Sequence, residues 1–312
     1  MKSATQTVSD KRTNEVVAKM TKRFKSSEGQ RLLYESYDRL LGLWGVDKEE
    51  LYIETRYGTT HVIATGDTAN PPLLLFHGSG DNSSIQWLSN MHELAKHFHV
   101  IAVDSFAGAG KSEPNERYSK EFDPALWIDD ILNALAINKT HMAGVSYGVN
   151  LALTYAAENP DRVSRIVCMA AYVHVKGIQS HLQILRSLRV FFPEALIPTE
   201  TKAIKLFQKL CGPNFNTLLL NQELMNHWFY ILKYTRLAKQ KMTKFNDEAI
   251  AAFRDKALFL IGDSDRVVYH PSVIKMFNAY NLNYKIIKNA GHVINGEQPE
   301  LINKEIIRFL SA

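Results

Sequence analysis

Leu33, Tyr37, Leu40, Leu41 and Trp44 recur at helical spacing, and from residue 51 onward short apolar runs alternate with amphipathic stretches. The first pattern predicts a helix over 31–44 that lays one apolar stripe on the body of the protein. The second predicts strands over 51–56, 61–65, 73–76, 99–103, 163–169, 257–261 and 284–287, and a further strand-like run ends at Gly144. Helices are predicted near 85–97, 124–135, 148–158 and 299–310. Repeated β-then-α units imply an α/β protein whose central sheet is mostly parallel, with helices on both faces. The first strands, joined by turns such as Tyr57-Gly58, are expected to be antiparallel.

One stretch breaks the alternation. Residues 172–255 read as several helices separated at Pro193, Pro198, Gly212 and Pro213, with no convincing strand. An insertion of this size behind a sheet strand predicts a helical lid. The expected organisation is therefore a polar basic arm (1–30), a first part of the core (31–171), the lid (172–255) and a second part of the core (256–312). Most lid aromatics are expected to form the lid's own core. Large pairs such as Phe191 with Phe192 and Trp228 with Phe229 are nevertheless expected to set substrate size.

Composition narrows the function classes. At 312 residues, 46% hydrophobic and 22% charged, the chain can bury a large core and shows no bias toward disorder. Its formal charge of +5 resides wholly in the first 25 residues. That places the excess in a solvated arm, and no aromatic-interleaved basic motif accompanies it, so no nucleic-acid partner is expected. No apolar run approaches the roughly 20 residues that span a bilayer, and the N-terminal segment lacks the apolar centre of an export signal. A cytoplasmic protein without a membrane span is the expectation. Two cysteines, Cys168 and Cys211, provide neither a disulfide framework nor a zinc cluster, and no cofactor or metal is expected.

The chemistry gathers at three strand ends. Gly144-Val145-Ser146-Tyr147-Gly148 stands between an apolar run and a small-residue helix, the context in which a serine is displayed on a sharp strand-to-helix turn. A serine hydroxyl is a poor nucleophile at neutral pH, so Ser146 requires a base and the base an orienting carboxylate. His292, in Ala290-Gly291-His292-Val293, follows the strand over 284–287 and is the candidate base. Asp265, in Gly262-Asp263-Ser264-Asp265, follows the strand over 257–261 and is the candidate acid, with Asp263 as its competitor. An oxyanion formed at Ser146 needs fixed N–H donors. The Tyr147 amide supplies one, and the turn His77-Gly78-Ser79-Gly80 supplies the other, through Ser79 or alternatively Gly78. Gly108-Ala109-Gly110-Lys111-Ser112 mimics the end of a phosphate loop, but Ser105 stands where the first glycine is required. That loop is expected to shape the edge of the site.

His77-Gly78, Asp104-x-x-x-Gly108-x-Gly110-x-Ser112, Gly144-x-Ser146-x-Gly148, Gly262-x-x-Asp265 and Gly291-His292 stand in the order of the α/β-hydrolase fold family, which the chain resembles from about residue 51 to 310. The segments 43–46, 56–64 and 287–293 resemble bacillar carboxylesterases of the naproxen esterase group, although Asp265 stands where that group carries glutamate. The resemblance implies hydrolysis of carboxylic esters, including bulky arylpropionate esters, by a serine carboxylesterase with a small-molecule ester as its partner. Thioesterase, lactonase and perhydrolase chemistry uses the same machinery, and a hydrolase scaffold also serves as a small-molecule receptor. The oligomeric state is left open.

Overall fold

Among the residues described in the computed structural model (23–176, 181–192, 194–213, 215–236, 240, 242–268 and 270–312), nine strands form one sheet. They are β1 (Lys48–Thr55), β2 (Gly58–Thr65), β3 (Pro72–Phe76), β4 (His99–Val103), β5 (Glu113–Pro114), β6 (Thr140–Val145), β7 (Val163–Met169), β8 (Ala257–Gly262) and β9 (Asn283–Ile287). Their order is β1-β2-β4-β3-β6-β7-β8-β9, with β5 added to β2. As expected from the turn at Tyr57-Gly58, β2 runs antiparallel to β1 and β4, while every pairing from β4 to β9 is parallel. The loops that leave β3, β6, β8 and β9 therefore emerge along one edge, which is where ligands bind in open α/β sheets.

The period-two alternation of each strand divides its side chains between two cores. Leu74, Phe76, Ile101, Val103, Met142 and Phe259 face one side, where they meet helices Pro124–Ala134, Tyr147–Glu158 and His270–Ala279. Leu73, Leu75, Val100, Ala102, Val145 and Leu260 face the other, under helices Ser27–Gly42 and Pro299–Leu310. The sheet is thus buried on both faces, as a parallel sheet requires.

Several boundaries differ from the sequence reading. The first helix begins at Ser27, because Ser26 caps it through a 3.0 Å bond from the Gly29 amide. The helix expected near 85–97 is two short ones, Ser83–Gln86 and Met91–Leu94, with Asn90 between them bonded to distant side chains. Helix His270–Ala279, which was not predicted, buries Val273 and Phe277 against the sheet. In the long insertion lie helices His181–Phe191, Glu200–Leu210, Asn216–Leu219, Gln222–Tyr234 and Asp247–Arg254. The last of these buries Ile250 and Phe253 in the sheet core beside helix Tyr147–Glu158, so it belongs to the layered body.

Residues 1–22 of the expected basic arm lie outside the described residues. The part that is described is fastened rather than solvated. Arg23 donates to the Gly110 carbonyl (2.9 Å) and to the Tyr34 hydroxyl (3.2 Å), Phe24 is buried, and the Lys25 amide bonds Tyr234 O at 2.8 Å.

Candidate active site

β6 ends at Val145, and the next residue turns the chain into helix Tyr147–Glu158 with Ser146 at φ 53°, ψ −112°. Positive φ costs a residue other than glycine roughly 1–3 kcal/mol, so packing must impose it. The Ser146 amide is held by Met169 O at 2.9 Å. On either side the chain passes too close for a side chain. A Cβ on Gly148 would lie 2.2 Å from Phe76 O, and one on Gly144 would lie 2.5 Å from the Gly148 carbonyl carbon. The two glycines are required by this close approach of β6, β3 and the helix.

Asp265 and His292 meet from the ends of β8 and β9. The Asp265 carboxylate accepts the amides of Val267 (2.7 Å) and Val268 (2.9 Å) on Oδ1, and its Oδ2 lies 2.9 Å from His292 Nδ1. Burial pushes the imidazole pKa down, but the charge and hydrogen bond of Asp265, with the charge of Glu297, outweigh it and leave His292 above its ordinary value. Asp263 is exposed and turned elsewhere, accepting the Asn289 amide at 2.9 Å and the Ser264 hydroxyl. Of the two candidate acids, the structure brings Asp265 alone to the histidine.

The turn after β3 passes beside the nucleophile candidate, since a Cβ on Gly78 would sit 3.8 Å from Ser146 Cβ. The Gly78 amide is occupied by Gln86 Oε1 at 3.0 Å. The amides of Ser79 and Tyr147 have no partner among the described residues. His77 is fully buried, with Nε2 accepting the Ser105 amide (2.9 Å) and Nδ1 facing Gly78 O (2.8 Å). Burial lowers its pKa, and the neutral ring is a support for the turn.

The loop that mimics a phosphate site wraps a buried charge. Asp104, fully buried, accepts the Ser83 amide (2.9 Å) on one oxygen and Tyr37 Oη (3.0 Å), the Lys111 amide (2.9 Å) and His61 Nδ1 (2.9 Å) on the other. Its neighbour Ala109 donates to Asp81 O at 2.8 Å, so the loop braces the turn after β3 from behind.

Ser146 and His292 line one cavity of about 200 Å³, together with Asn150, Tyr172, His174, Ser187, Met242, Val267 and Val268. Neither Phe191, Phe192, Trp228 nor Phe229 lines it. Trp228 instead donates to Ala203 O (3.0 Å) and packs edge-on against Phe207, and Phe191 packs among Val190, Leu206 and Leu210. His174 is a wall residue that sequence patterning missed. Its ring stacks on Tyr172 at 4.4 Å and makes no hydrogen bond to the described residues. Burial and the charge of Lys244 hold its pKa below the ordinary range, so it meets the cavity as a neutral donor and acceptor.

Glu297 was missed as well. Its carboxylate accepts Gly291 N at 2.9 Å and Gly212 N at 2.6 Å, joining the His292 loop to the end of helix Glu200–Leu210, and burial pushes its pKa up to about 7. A carboxylate five positions after a candidate histidine carries no signal in a single sequence.

Comparison with known proteins agrees with this architecture. The α/β hydrolase fold family matches residues 71–199. An uncharacterized carboxylesterase, nap, of Bacillus subtilis is 28% identical over 89% of this chain and 92% of its own length. Carboxylesterase YbfK of the same organism is 26% identical over 92% of this chain and 96% of its own. The crystal structure of the naproxen esterase of Bacillus subtilis superposes with a TM-score of 0.76, at 26% identity, over 91% of this chain and 99% of that one. From the strand order, the strained serine after β6 and the matches along most of its length, this chain has the α/β hydrolase fold and is similar to carboxylesterases of Bacillus subtilis.

Proposed function

We propose that the protein is a serine carboxylesterase in which Ser146 is the nucleophile, His292 the general base and Asp265 the orienting acid. The observation that carries this reading is the double use of Asp265. With Oδ1 fixed by two amides and Oδ2 at 2.9 Å from Nδ1, the neutral imidazole keeps its proton on Nδ1. Nε2 is then the basic nitrogen, on a ring that shares a cavity with Ser146.

As Ser146 Oγ attacks the ester carbonyl carbon, His292 Nε2 takes its proton and the carbonyl oxygen becomes an oxyanion. The free amides of Ser79 and Tyr147 receive that charge, each donor contributing about 2.7–4 kcal/mol of transition-state stabilisation. The imidazolium returns the proton to the departing alkoxide, and the alcohol leaves an acyl-enzyme. A water deprotonated by His292 attacks the acyl carbon, and the acid departs as Oγ regains its proton. The names of the two Bacillus subtilis relatives support ester substrates.

The helices from His181 to Tyr234 are the proposed lid, closing over the loops of one sheet edge. A cavity of about 200 Å³ is smaller than the roughly 300–1,000 Å³ of drug-sized sites, which favours compact acyl groups in this conformation. No helix of the described residues is long and apolar enough to cross a membrane. Both cysteines are free and buried, which suits a reducing compartment such as the cytoplasm. The deciding experiment is reaction with an alkyl fluorophosphonate followed by peptide mass spectrometry, alongside turnover of p-nitrophenyl acetate. Stoichiometric modification of Ser146 with loss of multiple turnover supports the assignment. Modification elsewhere, or a single acylation without turnover, removes it.

A further inference from the structure

Between the turn after β3 and the loop after β9 runs a chain of buried amides that the reaction as written does not use. Gln86 Oε1 accepts the Gly78 amide at 3.0 Å, and Gln86 Nε2 donates to Asn295 Oδ1 at 3.1 Å. Asn295 Nδ2 donates to Gln86 O (2.6 Å) and to Asn90 Oδ1 (2.9 Å). Asn90 Nδ2 in turn donates to Asn295 O (3.2 Å) and Asn303 Oδ1 (2.8 Å). All four side chains are buried, and Asn90 and Asn295 have no exposed surface.

The direction of this chain is fixed by its first link. The Gly78 N–H must face an oxygen, so the remaining Gln86 head atom is the NH2 group, which in turn makes the facing Asn295 atom an oxygen. The same logic passes to Asn90 and Asn303. No amide in the chain can flip without setting donor against donor. A buried network that is satisfied in only one arrangement holds its members rigidly.

Its two ends are the parts of the site that must agree in position. Gly78 lies beside Ser146, and its captured N–H fixes the His77–Gly78 peptide, one unit before the peptide that carries the Ser79 amide, which has no partner among the described residues. Asn295 lies three residues after His292, on the short helix Ile294–Glu297. We propose that Gln86 and Asn295 are positioning residues that lock the oxyanion turn to the histidine loop. Gln86 turns the Gly78 amide away from the reacting atoms and so aims the Ser79 amide at the oxyanion. This proposal rests on the reading of Ser146 as nucleophile.

The test uses the full-length chain with Gln86→Met, which removes the acceptor at nearly constant volume, and Gln86→Glu, which keeps an acceptor for Gly78. Competent sites are first counted by complete titration with the fluorophosphonate. Per competent site, Gln86→Met should lose about 10–100-fold in kcat on p-nitrophenyl acetate, a fraction of the loss seen when an oxyanion donor is removed outright. KM should change much less. Affinity for a trifluoromethyl ketone, whose serine adduct carries the oxyanion, should fall by a similar factor. Gln86→Glu should recover part of both losses. Where Gln86→Met does not fold, Asn295→Asp, which removes both donors of that amide, is read by the same ratios. Unchanged kcat and ketone affinity in folded, titrated variants, even with a lower Tm, would overturn the proposal and leave the chain as core packing. Failure of the reagent to modify Ser146 in the unaltered protein would overturn the nucleophile assignment, and this proposal with it.

Discussion

Asp265 grips His292 with one carboxylate oxygen while two backbone amides, those of Val267 and Val268, grip the other. An amide in its place could offer its NH2 group to Nδ1 and stabilise the wrong tautomer. Asp265→Asn should therefore lower kcat by roughly 10³–10⁴-fold with the fold retained. Asp263→Asn, at a carboxylate bonded to the Ser264 hydroxyl and the Asn289 amide, should cost under about tenfold by the same comparison. Steady-state kinetics of the two variants decide it, and the reverse ranking would move the acid to Asp263.

Ser146 and His292 are expected to act as one unit. Ser146→Ala and His292→Ala should each reduce ester hydrolysis by several orders of magnitude, and the double variant should be no worse than either alone. Losses that multiply in the double variant would separate the two residues.

The pH profile should carry the signature of the pair. Burial pushes the His292 pKa down, but Asp265 and Glu297 push it up further, so the base loses its proton above the ordinary value of about 6.5. The acid limb of kcat/KM should have its midpoint above that value. Removing the neighbouring negative charge in Asp265→Ala takes away the raising influence, so the limb of the residual activity should move to lower pH. A midpoint that stays in place in Asp265→Ala would sever the link between the two residues.

Substrate preference should follow the cavity wall rather than the large aromatics of the insertion. Met242→Ala and His174→Ala alter residues that line the cavity with Ser146, and should change the ratio of kcat/KM on bulky aryl esters to that on acetate esters. Trp228→Ala instead removes a partly buried indole with a satisfied N–H and should lower stability, by less than the roughly 3–5 kcal/mol of a fully buried tryptophan. Its effect on the substrate ratio should be small. Denaturation midpoints together with kinetics on the two ester classes separate these outcomes.

Asp104 and His61 form a buried pair, and its stability should depend on pH. Burial would lower the His61 pKa, but bonds to Asp104 and Glu50 raise it to about 9. The folded state thus keeps a proton that the unfolded chain releases above about 6.5. The pair's contribution is fully present below that value and disappears as pH rises through about 9. Urea midpoints should fall over this window in the unaltered protein and fall less in His61→Gln. Asp104→Ala, which strands His61 Nδ1, Tyr37 Oη and two amides, should cost about 3–5 kcal/mol at neutral pH.

What the sequence alone determined was local. The pentapeptide around Ser146 was legible because the close approach of three backbones admits only glycine at 144 and 148. The alternation of strands and helices, with exact bounds for β4 and β7, was legible because period-two and period-3.6 patterns are written in consecutive residues. Gly291-His292 and Gly262-x-x-Asp265 were found because each follows its own apolar strand. Which of Asp265 and Asp263 meets His292, by contrast, depended on how two loops 27 residues apart cross, and only tertiary structure shows it. Tertiary structure also made cavity walls of His174 and Met242 and partly buried packing residues of Phe191 and Trp228, since helical spacing shows which face a side chain lies on but not which neighbour it meets. The amide chain from Gly78 through Gln86 and Asn295 spans 209 residues between its two side chains. Glutamine and asparagine on short helices give no periodic signal, and their partners exist only once the sheet has brought the turn after β3 beside the loop after β9.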